Sequence, residues 1–208
     1  MLRLENISKS FPQRGIVLDN LNLEATEGDS ISVTGPSGSG KTTLMNIIGA
    51  LERPDSGNIM FKGTSVLKLG SDELSGYRNR NIGFVFQDHL LLNHLTIREN
   101  ILLPLFAERR SEEEYSEKEE YCEKLMDRIG ISGLKDKYPF QVSGGEAQRA
   151  TLIRALISKP SIILADEPTG SLDSKNAQNL GHLLVDLNKE FRITLIVEIG
   201  RASCRERV

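Results

Sequence analysis

The stretch Gly35-Pro36-Ser37-Gly38-Ser39-Gly40-Lys41-Thr42 decides the fold class of this 208-residue chain. It fits the pattern of Gly, four residues and Gly-Lys-Thr, whose glycines let successive backbone N–H groups face a triphosphate. Residues 29–34 before it alternate in a way that is typical of a strand, and residues 42–51 after it have helical character. Strand, glycine-rich loop and helix in this order predict an α/β core that binds a nucleotide.

The same loop supplies two side chains that suit a nucleotide with its metal ion. Lys41 would neutralise the β- and γ-phosphates, and the hydroxyl of Thr42 would ligate Mg²⁺. The helix that follows would present its positive end to the same anion. A simple glycine- and serine-rich turn is the alternative, but the strand and the helix on either side favour phosphate binding.

A pair of carboxylates follows an apolar run. Residues 161–165 and 193–197 are nearly all apolar, as the buried strands of parallel sheets are. Asp166 and Glu167 come where the first of these strands ends, and open α/β sheets place their ligands at this end of the strands. Asp166 can hold Mg²⁺ through water, and Glu167 can accept a proton from the attacking water or orient it. An ordinary loop entry would explain the pair alone; beside a phosphate loop we favour the catalytic interpretation.

A second glycine-containing helix start lies at Ser143-Gly144-Gly145-Glu146. Serine at the N-cap with Glu three positions on is a capping box, so a structural role alone would explain both residues. The two glycines, however, leave the first N–H groups of the helix open to a second γ-phosphate contact. Two such helix ends in one small domain predict head-to-tail dimers with ATP between the subunits.

Composition and periodicity bound the rest of the chain. The net charge of −3 gives no reason to expect a nucleic-acid partner, and no segment has the roughly 20 apolar residues of a membrane span. Two cysteines, Cys122 and Cys204, fit a reducing compartment. Alternating residues near the start predict an antiparallel β subdomain, and helical periodicity predicts an inserted helical subdomain over about 88–158. The predicted fold is a phosphate-loop NTPase core with a mostly parallel sheet and these two additions.

With these motifs, the chain resembles the ATP-binding subunits of ABC transporters over nearly its whole length. The resemblance makes residues 35–42 the Walker A motif, residues 162–167 the Walker B motif with the catalytic glutamate, and residues 143–146 the signature motif. It places Gln87 in the Q-loop, which touches Mg²⁺ and the membrane subunit, and Asp173 in the D-loop of the dimer interface. Phe11 stands where an aromatic residue stacks on adenine, although packing beside a strand is the alternative.

The resemblance thus implies ATP and Mg²⁺ as cofactors and three sets of site residues. The catalytic set is Glu167, Lys41 and Gln87, and the metal set is Thr42, Gln87 and Asp166. The nucleotide-binding set is Phe11, Gly35, Pro36, Ser37, Gly38, Ser39, Gly40, Lys41, Thr42, Thr43, Ser143, Gly144, Gly145, Glu146 and Asp173.

Residues 164–173 and the signature look like those of the lipoprotein-releasing, macrolide-exporting and cell-division ATPases. This resemblance implies a subunit on the cytoplasmic face of the plasma membrane that pairs with a second ATPase subunit and an integral membrane permease. A soluble ABC ATPase of DNA repair or translation is one alternative. A second alternative is that the chain as written binds nucleotide with little turnover.

The end of the chain departs from the family pattern. A histidine that contacts the γ-phosphate is expected near Gly200, whereas His89, His94 and His182 lie elsewhere and are expected to be ordinary residues. The final strand and helices of the family are also missing, so we expect an ATPase domain over 1–197 that is truncated. One codon choice for residues 198–208 contains a common sequencing-adapter string, and we expect this tail to be non-native. A real divergent terminus is the alternative.

Overall fold

The computed structural model describes residues 1–107 and 111–199 of the chain. The strands are β1 (Leu2–Phe11), β2 (Gly15–Ala25), β3 (Ser30–Thr34), β4 (Ser56–Phe61), β5 (Thr64–Ser65), β6 (Ile82–Val85), β7 (Ile162–Asp166) and β8 (Thr194–Ile199). The α-helices are α1 (Lys41–Ile48), α2 (Ser71–Asn81), α3 (Ile97–Leu102), α4 (Glu112–Ile129), α5 (Gly144–Leu156) and α6 (Ser174–Phe191). Strands and helices alternate along the chain, so the protein has the α/β fold that the sequence predicts.

An antiparallel sheet forms the amino-terminal part, with strand order β2-β1-β4-β5. Its apolar side chains, among them Leu2, Leu4 and Ile59, are buried against α1 and the parallel sheet. Polar neighbours such as Arg3 and Glu24 stay exposed and pair across β1 and β2 at 3.0 Å. This in-and-out alternation is typical of a sheet with one wet face, so the predicted antiparallel subdomain is confirmed.

The second sheet is parallel and has the order β3-β8-β7-β6. One of its two central strands, β7, is apolar and almost fully buried up to Asp166, because helices cover both faces. In the β7–β8 ladder Ala165 lies opposite Val197 and Asp166 opposite Glu198. The carboxyl ends of all four strands consequently meet along one edge, where α1 and the loop before it also lie.

Helices α3, α4 and α5 are inserted between β6 and β7 and form the predicted helical subdomain. Side chains of α4, such as Leu125 and Met126, pack with Ile101 of α3 and Ile153 of α5 in one apolar cluster. Each of the three helices begins with a capping box, so its first N–H groups are satisfied locally. None of the helices in the described ranges is both long enough and apolar enough to cross a membrane.

Two buried asparagines brace the loops around the parallel sheet. The side-chain amide of Asn100 donates to the carbonyls of Leu92, Leu95 and Thr96, and its oxygen accepts from the N–H of Leu92. Asn188 of α6 donates to the carbonyls of Gly28, Asp29 and Ile193. Asn188 thereby joins the turn before β3 to the start of β8.

Replacing Asn188 with alanine is expected to lower the free energy of unfolding by about 1–3 kcal/mol, because buried carbonyls lose their donor. The matched control is Asn179→Ala on the exposed face of the same helix, which should change the unfolding free energy by less than about 0.5 kcal/mol. Urea titrations followed by circular dichroism measure both. Equal unfolding free energies for the two variants would contradict the bracing role of Asn188.

Candidate functional site

The glycine-rich loop of residues 35–42 connects β3 to α1, as the sequence predicts. Gly38 and Gly40 have φ angles of +80° and +91°, which residues other than glycine rarely adopt. A Cβ atom on Gly40 would also lie 2.7 Å from Cγ1 of Val17 in β2. Among the described residues no side chain caps the amino terminus of α1, and its first turn holds no acidic residue. The loop and the helix end therefore offer N–H groups to an anion.

Lys41 is buried inside this loop. Its side chain is 8% exposed, and its Nζ atom donates to the carbonyls of Gly35 and Pro36 at 3.2 Å each. A third contact joins Nζ to Oε1 of Glu198 at 3.2 Å. A buried ammonium group needs an anionic partner, and here a carboxylate of β8 provides it.

The carboxylates predicted from the sequence lie on the neighbouring strand. Asp166 ends β7, and Glu167 follows it with a φ angle of +41°. The N–H of Gly170 donates to the carbonyl of Glu167 at 2.9 Å and closes this turn. A non-glycine residue with positive φ stores backbone strain, and such residues cluster at functional sites.

Asp166 and Glu198 are side by side across the β7–β8 ladder. Burial, and then the hydrogen bond and the negative charge of Glu198, raise the pKa of Asp166 to about 7. Glu198 also accepts a hydrogen bond from the hydroxyl of Thr42 at 3.2 Å. The carboxylate of Glu198 thus interacts with Lys41, Thr42 and Asp166. These three predicted site residues therefore surround one common group.

Gln87 lies just after β6, next to the turn that follows Glu167. A Cβ atom on Gly170 would be 3.1 Å from Nε2 of Gln87, and the hydroxyl of Ser171 donates to the Gln87 carbonyl at 3.4 Å. The segment that carries Gln87 and the segment that carries Glu167 are therefore in contact.

Gln148 of α5 strengthens this contact and was not predicted from the sequence. It is fully buried, and its amide donates to the carbonyl of Phe86 at 2.8 Å and to that of Pro168 at 3.0 Å. The residues before Gln87 and after Glu167 are thus held by one side chain. An amide between the buried Ala147 and Ala150 of α5 was the available signal.

The segment Ser143–Glu146 forms the capping box at the start of α5. The hydroxyl of Ser143 accepts from the N–H of Glu146 at 3.3 Å, while the Glu146 carboxylate accepts from the N–H and hydroxyl of Ser143 at 2.8 Å each. These bonds from Ser143 lower the pKa of Glu146. Gly144 faces open space, since a Cβ atom there would meet no heavy atom of another described segment within 4 Å.

Asp173 is connected to that capping box by Asn176, which contacts both. It caps α6, where its carboxylate accepts from the N–H of Asn176 at 3.0 Å and from the Asn176 side chain at 2.6 Å. The Asn176 side chain in turn covers Gly145, because a Cβ atom there would lie 3.2 Å from it. The predicted signature and the predicted dimer-interface residue thus form one surface.

Phe11 is at the tip of the β1–β2 hairpin, where the N–H of Arg14 donates to its carbonyl. The ammonium of Lys9 lies 5.2 Å from the centre of its ring. The hairpin adjoins the glycine-rich loop through Val17 and Gly40. Phe11 itself is partly exposed.

Of the three histidines in the sequence, His94 and His182 are exposed. His182 lies on α6, and the carbonyl of His89 accepts bonds from Thr151 and Arg154 of α5. Gly200, where the γ-phosphate histidine is expected, lies outside the described residues, as do residues 201–208. Glu198 and Ile199, the first residues of the tail expected to be non-native, continue β8.

Known proteins match both the sequence and the fold. The family model described as ABC transporter matches residues 18–170. The lipoprotein-releasing system ATP-binding protein LolD of Bacteroides fragilis is 44% identical over 197 residues, which cover 95% of this chain and 89% of that protein. The bacitracin export ATP-binding protein BceA of Halalkalibacterium halodurans is 40% identical over 200 residues, with 95% and 78% covered.

Among solved structures, a dimer of the ATP-binding cassette MJ0796 in a post-hydrolysis state with ADP and Pi is similar. Its TM-score is 0.82 and its identity 38%, over 98% of this chain and 89% of that one. The residues matched by the family model, 18–170, include the glycine-rich loop, the carboxylate pair and the capping box. The chain belongs to the ABC transporter ATP-binding family, and it is an ATPase subunit that binds nucleotide.

Proposed function

We propose that this chain binds Mg²⁺-ATP at the edge formed by residues 35–42, Asp166 and Glu167, and powers a separate membrane subunit through ATP-driven dimerisation. The observation that carries the proposal is the convergence of Lys41, Thr42 and Asp166 on a single carboxylate. The three groups thereby meet in a space where phosphate and metal can replace that carboxylate.

The residues present fit a triphosphate with its metal ion. The buried ammonium of Lys41 and the N–H groups at the start of α1 suit phosphate oxygens. The Thr42 hydroxyl and the Asp166 carboxylate are hard oxygen ligands of the kind that Mg²⁺ prefers, and Gln87 completes the proposed set. A Mg²⁺ ion held by these side chains would neutralise negative charge on the phosphates during hydrolysis.

Other residues at this edge would position the attacking water, the adenine and the phosphates. Glu167 accepts a proton from the attacking water or orients it, and the turn closed by Gly170 holds Glu167 near Gln87. Phe11 stacks on adenine from the neighbouring hairpin. Gly35–Thr43 wrap the phosphates, as the loop of this family does.

A second copy would complete the site from its other face. Ser143, Gly144, Gly145 and Glu146 of that copy would offer the open N–H groups of α5 to the γ-phosphate, with Asp173 at the interface. The MJ0796 cassette is a dimer in its solved structure, which supports this arrangement.

Lipoprotein release or an export reaction is the proposed use of the energy. The names of similar proteins, lipoprotein-releasing LolD and bacitracin-exporting BceA, support such a role. The chain would then act on the cytoplasmic face of the plasma membrane. Recovery of the chain from membranes with an integral permease would support this proposal, whereas recovery with DNA or ribosomes would favour the soluble ABC ATPases.

Replacing Glu167 with glutamine is expected to slow ATP hydrolysis by roughly 10²-fold, because the amide cannot accept the proton of the attacking water. The Kd for ATP should change by less than about threefold, since the carboxylate does not hold the phosphates. Phosphate release and equilibrium titration measure the two quantities. Glu190→Gln, at an exposed position of α6, is the control with the same change in charge. Unchanged hydrolysis in Glu167→Gln contradicts the role of Glu167.

A carboxylate at the signature should prevent dimerisation without disturbing the fold. A side chain at Gly144 meets open space in the monomer, so Gly144→Asp should fold normally and repel the γ-phosphate of the partner's nucleotide. In the Glu167→Gln background with ATP, size-exclusion chromatography should give dimers for Gly181→Asp and monomers for Gly144→Asp. Gly181, on α6, also meets open space and is the matched control. Dimers of both variants would contradict a role of the signature in the interface.

A further inference from the structure

We propose that Glu198 is a further residue of the nucleotide site and acts as an internal competitor of the triphosphate. Its carboxylate takes the place at Lys41 and Thr42 that phosphate oxygens and the metal ion would take, and so lowers the affinity of the chain for ATP. The inference rests on the proposed function, since it requires ATP to bind at residues 35–42.

The contacts of Glu198 are those of a bound anion. One carboxylate oxygen lies 3.2 Å from Nζ of Lys41, and the other accepts from the Thr42 hydroxyl at 3.2 Å. The residue is 4% exposed, so solvent does not screen the pair. Both oxygens are used by the two side chains that the Gly-Lys-Thr pattern assigns to phosphate and metal.

The sheet register explains why this carboxylate reaches the loop. Glu198 lies between Val33 of β3 and Asp166 of β7, at the edge where the strands end. The preceding residues of β8, Leu195 and Ile196, are apolar and buried in the two cores. A carboxylate at this one position is therefore held beside the buried ammonium of Lys41, and the ion pair compensates the desolvation of both groups.

When ATP binds, the Glu198 carboxylate either leaves Lys41 and Thr42 or stays beside the phosphates. If Glu198 leaves, its charge loses the buried ammonium of Lys41 and a hydrogen bond. If it stays, it adds a third carboxylate beside Asp166 and Glu167 and repels the phosphates. Either course costs affinity. Glu198 is also the first residue of the tail that the sequence predicts to be non-native, so the competition is a property of the chain that carries this carboxylate.

The test is the Kd for ATP, with and without Mg²⁺, measured by titration calorimetry. Glu198→Gln keeps the shape and removes the charge, and Glu198→Ala removes the group. Both should bind ATP about 10- to 100-fold more tightly than the unmodified chain. Glu190→Gln, which makes the same change in net charge at an exposed position of α6, should bind ATP within about twofold of the unmodified chain.

A thermal readout separates competition from a change in folding. Without ATP, Glu198→Gln should melt below the unmodified chain, because Lys41 loses its partner. With saturating ATP the melting temperature should rise more in Glu198→Gln than in the unmodified chain, since tighter binding stabilises more. If neither variant folds, carboxyl ¹³C spectra of the unmodified chain give the test: the Glu198 signal must shift when ATP binds.

The outcomes distinguish this inference from the function on which it rests. Tighter binding by both variants supports the competition. ATP binding of equal affinity in the variants and the unmodified chain, or an unshifted Glu198 signal on ATP binding, overturns the competition and leaves the proposed function intact. Folded proteins that all fail to bind ATP overturn the proposed function, and the inference with it.

Discussion

The parallel hydrogen bonding of β3, β8, β7 and β6 is the constraint on which the site depends. Because the four strands run in one direction, the residues that follow them meet at one edge although they are far apart in sequence. Thr42 and Glu198, separated by 156 positions, share a hydrogen bond for this reason. If β7 ran antiparallel to β3, the carboxylate pair would lie at the edge of the sheet opposite the glycine-rich loop.

Helix α5 adds a second constraint at the same edge. Its side chains hold the segment after β6: Gln148 binds the Phe86 carbonyl, and Thr151 and Arg154 bind that of His89. Gln148 also binds the Pro168 carbonyl beyond the carboxylate pair. The helix that begins with the signature is therefore attached to both loops that flank the proposed position of the γ-phosphate. A shift of this helix would therefore move Gln87 and the turn after Glu167.

Much of this arrangement could be predicted because its signals are local. The loop of residues 35–42, the carboxylates after an apolar strand and the capping box at Ser143 each combine residue type and spacing with one physical role. The alternation of apolar residues likewise predicts the amino-terminal sheet, and the continuous apolar runs predict the buried strands. The fold class follows from these local patterns and from the family resemblance they carry.

The contacts that the sequence could not predict are the long-range ones. Glu198 follows an apolar run as Asp166 does, but the sequence does not indicate its partners, which arise from the ladder that puts it opposite Asp166. Gln148 has a weak signal, an amide between buried alanines of α5, but its two acceptors lie on other segments. Asn100 and Asn188 donate to backbone carbonyls of neighbouring loops. The sequence does not indicate which carbonyls these are, because the fold brings them together.

A crystal structure of this chain with ATP and Mg²⁺ tests the central claim most directly. We expect the β- and γ-phosphates within hydrogen-bonding distance of Lys41 Nζ, with Mg²⁺ between them and the Thr42 hydroxyl, and the Glu198 side chain turned away from the loop. A triphosphate bound elsewhere, with the Lys41–Glu198 pair intact, would contradict the account.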